Sequence, residues 1–316
     1  MSTKENAIFI FSRFFLFQTI RSSGVPGTVL CYYMGSSKER PRMVYKKDRA
    51  EARETKTEKK KRDPKQIILT VLIFVFLGVF LFSGYKILNW YITSRKDMAV
   101  NQELRNEVIV TYDDNGNEVQ ELSPYEKYQI LFEANSDMAG WIKIDGTHID
   151  YPVMNTQYYP EKYLRTNFHG DYALGGTLFI GEGCSLDPRS DNVIIYGHNM
   201  TDDTMFHDLV LFADPSFLAE HPYVQFDTDK EYGVYEIIYV MKTQVNTEND
   251  WEYYAFVNAP NADLFYRFIQ GCRNHSLYNT GKEAIYGDEL LTLSTCEYSV
   301  EDGRMVIVAK KIASSD

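Results

Sequence analysis

Hydrophobic and polar positions fall into three regimes along the chain. Residues 67–85, IILTVLIFVFLGVFLFSGY, run apolar without a charged side chain, matching the ~20 residues that cross a bilayer core as a helix. From Asn89 to Ile109 charged and apolar residues alternate at helical spacing, with Ile92, Leu104 and Val108 as inner positions. Asp113-Asp114-Asn115-Gly116-Asn117 after Tyr112 is a turn cluster. Ser123-Pro124-Tyr125-Glu126 reads as a capping box with proline at the first helical position. The helix it opens would bury Tyr128, Leu131 and Phe132 and end at Met138-Ala139-Gly140.

Beyond Gly140 the apolar period shortens to that of strands. Trp141–Ile144, Ile149–Val153, Gly176–Ile180, Asn192–Tyr196, Tyr223–Phe226, Gly233–Val245, Leu290–Thr295 and Met305–Lys310 all fit, separated by Gly, Asp and Pro turns. Two helical interruptions stand out, Asp203–Phe212 and Ala262–Cys272, the latter with Leu264, Phe265, Phe268 and Ile269 on one face. Many short strands with few open edges make a barrel. The expected fold is mainly β and closed, with helices before it, one helix inserted between late strands, and one transmembrane helix ahead of all.

Charge sharpens the division. Residues 1–96 carry 19 Lys and Arg against 7 Asp and Glu, while the remainder carries 14 against 37, within a net charge of −11. Lys59-Lys60-Lys61-Arg62 and Lys65 crowd one flank of the apolar run, and Lys86, Arg95 and Lys96 follow more sparsely. Positive residues stay inside, so the reading is a single-pass protein with a cytoplasmic N-terminus and an acidic extracellular domain. A retained anchor is favoured over a cleaved signal peptide, because the run is long and no small-x-small site follows it. The expected organisation is residues 1–65 as a basic cytoplasmic segment, 66–88 as the anchor, 89–122 as a helical linker and 123–316 as the extracellular domain. Residues 1–42 hold either a second apolar segment, Ala7–Ile20 broken by Arg13, or sequence upstream of a start at Met34 or Met43. No basic patch interleaved with aromatics follows residue 97, which argues against nucleic-acid binding.

Three side chains sit where strands end. Cys296 closes the run Leu290–Thr295, and the polar loop after it makes the thiol accessible. Accessibility beside a positive group is what makes a thiol reactive. Arg304 opens the following strand and would return close to Cys296, as a permanent cation able to donate to an oxyanion. His198 follows Val193-Ile194-Ile195-Tyr196-Gly197, the glycine letting the chain turn and expose an imidazole suited to acid–base work. His148, His169, His207, His221 and His275 lack such a setting. Cys31 lies before the anchor, and Cys184 and Cys272 are either free or paired. No zinc-type spacing, phosphate loop or GxSxG elbow is present, so no cofactor or metal is expected.

Thr292-Leu293-Ser294-Thr295-Cys296, Tyr196-Gly197-His198-Asn199-Met200 and Gly303-Arg304-Met305-Val306 resemble the signature of sortases, specifically class B, the membrane-anchored cysteine transpeptidases of Gram-positive bacteria. The likeness covers roughly residues 120–312, and it includes the late inserted helix and the helical lead-in. It implies a sortase-type barrel, Cys296 as nucleophile, His198 as acid and base, and Arg304 as the oxyanion or substrate-positioning residue. It implies substrate contacts at Ser294 and Thr295, at Glu297, and at Asn167 within Leu164-Arg165-Thr166-Asn167-Phe168.

The implied reaction cleaves a C-terminal sorting signal after threonine, through a thioacyl enzyme, and passes the surface protein to a peptidoglycan amine. Partners would be sorting-signal proteins, the cell-wall precursor or cross-bridge amine, and membrane lipid around the anchor. A free thiol titrates near ~8.5, so only a fraction of molecules is expected in the reactive protonation state, with a bell-shaped pH–rate profile. The alternatives are a pilin-polymerising transpeptidase, a hydrolytic cysteine peptidase, and a tethered scaffold with a structural Cys296. Papain-like order, with Cys before His and Asn or Asp third, is not the order found.

Overall fold

The computed structural model describes residues 63–112, 118–119, 122–156, 158–245 and 251–315; the turn cluster at 113–117, Cys31 and the readings of residues 1–62 lie outside these. All described residues belong to one compact unit, Arg62–Asp316.

Helix α1, Pro64–Asn106, begins where Asp63 accepts a hydrogen bond from the Lys65 amide at 3.0 Å and Pro64 takes the first position. It runs unbroken for 43 residues, about 64 Å at ~1.5 Å per residue. This one helix is long and apolar enough to cross a membrane. The expected division between anchor and linker at residue 88 therefore falls inside a continuous helix. Its lower half docks on the barrel through the expected Leu104 and Val108, but Ile92 is not on that face. Leu104 is buried, Val108 just beyond the helix is half-buried, and Ile92 is exposed, while Ser94 and Asn101 are buried. Ser94 and Asn101 extend the apolar contact with small and polar groups, which an apolar period could not reveal.

A short ribbon pairs β1, Thr111–Tyr112, with β2, Glu118–Val119. Helix α2, Pro124–Lys127, has the reciprocal cap: Glu126 N–H donates to Ser123 Oγ at 3.4 Å, and Ser123 N–H donates to Glu126 Oε2 at 2.9 Å. After a break at Tyr128, α3 covers Gln129–Ala134. The helix stops before Met138-Ala139-Gly140, which opens a strand instead. Asn135 is extended, and its Oδ1 accepts from the Asp137 amide at 2.9 Å, turning the chain early.

Eight strands close the barrel: β3 (Met138–Lys143), β4 (Asp150–Met154), β5 (Leu178–Ile180), β6 (Asn192–Tyr196), β7 (Tyr223–Thr228), β8 (Tyr232–Gln244), β9 (Leu290–Cys296) and β10 (Gly303–Ser315). Their order around the wall is β10-β8-β7-β3-β4-β5-β6-β9. The β4–β5 and β6–β9 neighbours are parallel and the rest antiparallel. Side chains alternate across the wall. On β10, Met305, Ile307 and Ala309 point into the barrel core, while Val306 and Val308 join the cluster beneath α5, Ala262–His275. A third cluster joins Leu104, Tyr128, Leu131, Trp141 and Phe168 at the base of α1.

The stretch expected as a helix at Asp203–Phe212 is a loop followed by a 3-10 segment, His207–Ala213, because Asp203 and Met205 adopt left-handed backbone angles (φ 62° and 58°). A further short helix, α4, follows at Pro215–Glu220 under an Asp214 cap. Cys184 and Cys272 are free thiols: Cys184 packs on the barrel core, and Cys272 is buried on the inner face of α5.

Candidate active site

Strand register brings the three singled-out residues together. Arg304 on β10 is the direct antiparallel partner of Cys296 on β9, so the two side chains share a face. On the other side of β9, Tyr196 of β6 pairs in parallel with Ser294. Two residues past the end of β6, His198 lines the same cleft as Cys296. The chains follow in the order β6, β9, β10, so imidazole and guanidinium flank the thiol, on strands ~4.8 Å apart. All three line one cleft of about 630 Å³, with Leu164 and Tyr254 on its walls. Each is half-buried.

The turn that delivers His198 is crowded. A Cβ on Gly197 would sit 2.3 Å from Leu178 and 2.7 Å from Phe206, so only glycine fits. Gly197 N–H donates to the Ser294 carbonyl at 3.2 Å, and Thr295 Oγ1 donates to the Gly197 carbonyl at 2.8 Å. His198 Nε2 lies 2.9 Å from the Leu164 carbonyl. A carbonyl only accepts, so Nε2 carries the proton and Nδ1 is the nitrogen left to exchange one with a substrate. Burial pushes the imidazole below its ordinary value of 6.5, and the Arg165 charge adds to this, against the opposing Leu164 hydrogen bond.

One residue beyond His198, Asn199 joins the two chains. Its Nδ2 donates to the Cys296 carbonyl at 2.9 Å, which turns its Oδ1 toward His207 Nδ1 at 2.9 Å. His207 Nε2 lies 3.2 Å from Asp203 Oδ1, and Tyr298 OH donates to the Asn199 carbonyl at 3.0 Å. Asn199 lay within the recognised block, yet its partner is a backbone carbonyl far away in sequence. No side-chain pattern signals that.

The expected substrate contacts divide. Ser294 lines the cleft, buried, with its hydroxyl 2.7 Å from Tyr253 OH. Thr295 also lines it, its hydroxyl committed to Gly197. Glu297 does not line this cleft; it lines an adjoining hollow that it shares with Cys296 and Arg304. It meets Lys242 Nζ at 3.1 Å and accepts from Ser299. Burial opposes its ionisation, but the Ser299 and Lys242 hydrogen bonds prevail and hold the carboxyl below its usual range. Asn167 is also placed outside the cleft. Its Oδ1 accepts from the His169 and Asp171 amides at 3.0 and 2.9 Å, shaping the 167–171 turn. Among the described residues no cluster of metal-ligating side chains occurs.

Such a rim can acylate and deacylate a thiol: a sulfur nucleophile, a proton carrier on one side and a cationic donor on the other. The Sortase domain family model matches residues 142–312. Sortase B of Listeria monocytogenes is 32% identical over 246 residues, covering 76% of this chain and 95% of that protein. Sortase B of Staphylococcus aureus is 29% identical over 252 residues, covering 79% and 96%. A solved Staphylococcus aureus sortase B–substrate complex superposes with a TM-score of 0.55 at 25% identity, covering 71% of this chain and 96% of that one. The chain belongs to the sortase family, as a class B member and a cysteine transpeptidase.

Proposed function

We propose that this transpeptidase is held in the cell membrane by the apolar part of α1, with its barrel outside, and joins surface proteins to peptidoglycan. Cys296 Sγ, as a thiolate whose proton has passed to His198, attacks the carbonyl carbon of threonine in a C-terminal sorting signal. The S–C bond forms, the oxygen gains charge beside Arg304, and the C–N bond then breaks as protonated His198 gives its Nδ1 proton to the leaving amine. The thioacyl enzyme remains. An amine of the cell-wall cross-bridge loses its proton to the now neutral His198 as it attacks the thioester; the C–S bond breaks, and Cys296 leaves as thiolate beside reprotonated His198. Ser294 and Thr295 form the wall along which the peptide lies.

The register that sets His198 and Arg304 on opposite sides of Cys296 carries this reading. A hydrolase would need water as acceptor, and a pilin polymerase a lysine side chain. The test is a peptide library varied around Pro-x-Thr, incubated with triglycine. Ligated product should dominate over hydrolysed product. Cys296→Ala, His198→Ala and Arg304→Ala should each lose activity by about 10³-fold or more while still folded. Hydrolysis unaffected by added amine would contradict the proposal.

A further inference from the structure

His198 stands between two loops, and the lower half of α1 grips both. The first loop follows the histidine directly. Ser94 Oγ donates to Asp202, whose other oxygen accepts from Thr204 Oγ1 at 2.6 Å. Arg105 lies 5.2 Å from the Tyr151 ring, and the Tyr151 hydroxyl accepts from the Met205 amide at 3.2 Å. That loop contains the left-handed Asp203 and Met205, so its shape needs outside support. Phe206 N–H, at its end, donates to the His198 carbonyl at 2.9 Å.

The second loop supplies the acceptor for the imidazole. Asp97 Oδ2 accepts from the Leu174 amide at 2.9 Å, and the carboxylate also accepts from the Gly175 amide. The next residue, Gly176, presses on the backbone of Tyr163 and Leu164: a Cβ there would lie 2.6 Å from the Leu164 carbonyl oxygen. That oxygen is the one His198 Nε2 donates to. A continuous line thus runs from Asp97 through Leu174, Gly175 and Gly176 to Leu164 and the imidazole. Cys296 and Arg304 ride on β9 and β10, and none of these α1 contacts reaches those strands.

We propose that Ser94 and Asp97 are positioning residues for His198, so that the stem of the membrane helix sets the imidazole in register with Cys296. The anchor is then part of the catalytic apparatus as well as a tether. This rests on His198 being the acid and base of the proposed reaction. A displacement near 1 Å of a reacting group can cost about a hundredfold in rate, which sets the scale of the effect.

The experiment uses the full chain in detergent micelles, a peptide containing Asn-Pro-Gln-Thr-Asn, and triglycine as acceptor. Ser94→Ala and Asp97→Ala should lower kcat by on the order of ten- to a hundredfold, with KM held within about twofold. Labelling of Cys296 by a methanethiosulfonate reagent should keep its wild-type rate. Ser94→Thr and Asp97→Asn, each retaining a polar oxygen, should recover part of the loss. Gln102→Ala, on the exposed side of α1 where the amide meets only Asn106, should match wild type. Wild-type kcat in both alanine variants, with His198→Ala inactive, overturns this inference and leaves the proposed function standing. Equal loss of kcat, labelling and melting temperature, without recovery in the conservative variants, overturns it as well. An active His198→Ala enzyme removes the proposed function itself.

Discussion

Asn199 shows how much of this site rests on one amide. It is buried and holds the Cys296 carbonyl, while its own oxygen faces His207. Replacing it by alanine leaves a carbonyl and an imidazole N–H without these partners, at a cost of about 1–3 kcal/mol. At ~2–4 °C per kcal/mol for a domain of this size, Asn199→Ala should melt measurably lower; an unchanged melting temperature would contradict the clamp. His198 carries a separate signature. Its folded value lies below 6.5, so the unfolded chain binds the proton first as pH falls. Its contribution to stability is full above 6.5 and is lost as pH drops through the folded value. An NMR titration of the ring should give a midpoint under 6.5, and one at or above that value would contradict the burial argument. That Cys296, His198 and Arg304 line one cleft was legible in the sequence because each sits at or just past a strand boundary. Glu297 and Asn167 do not line that cleft: Glu297 is held by Lys242 and Ser299 in the adjoining hollow, and Asn167 by local turn bonding, neither of which nearness in sequence to the motif could reveal.

Elements with one clean period were read well. The eight barrel strands and α5 follow from alternation or from a single apolar face; α5 packs Phe265, Phe268 and Ile269 of that face on β8 and β10, while Leu264 is exposed. Phe268 stacks on Phe256 at 4.1 Å within this cluster. Phe268→Ala should cost about 3–5 kcal/mol, lowering the melting temperature by on the order of 10 °C. A shift under about 2 °C would mean that α5 is only loosely applied to the wall. What the pattern missed are segments governed by caps and left-handed residues. Asn135 ended α3 early, Asp203 and Met205 replaced a helical turn with a loop, and the brief α4 was passed over despite its Asp214-Pro215 start.

At the scale of the molecule, the apolar run falls in a helix long and apolar enough to cross a membrane, and the stretch expected as a linker after it is docked helix. Leu104 is buried at the base of the barrel, and Ser94 and Asp97 grip the loops around His198. A fragment spanning 89–316 keeps these contacts, whereas one spanning 108–316 loses them. Loss of the Leu104 side chain alone is worth about 2–5 kcal/mol, so the shorter fragment should melt on the order of 10 °C lower. Equal melting temperatures would show that α1 is a tether only.

The central claim is that the Cys296 sulfur carries the acyl group between donor and acceptor. Intact-mass spectrometry of the full chain, mixed with the Asn-Pro-Gln-Thr-Asn peptide in the absence of an amine, reads this directly. The expected result is an adduct equal to the peptide up to threonine, mapped to Cys296, absent in Cys296→Ala, and discharged as ligated peptide when triglycine is added. Peptide cleavage that persists in Cys296→Ala, or that proceeds with no adduct on the sulfur, would contradict the account.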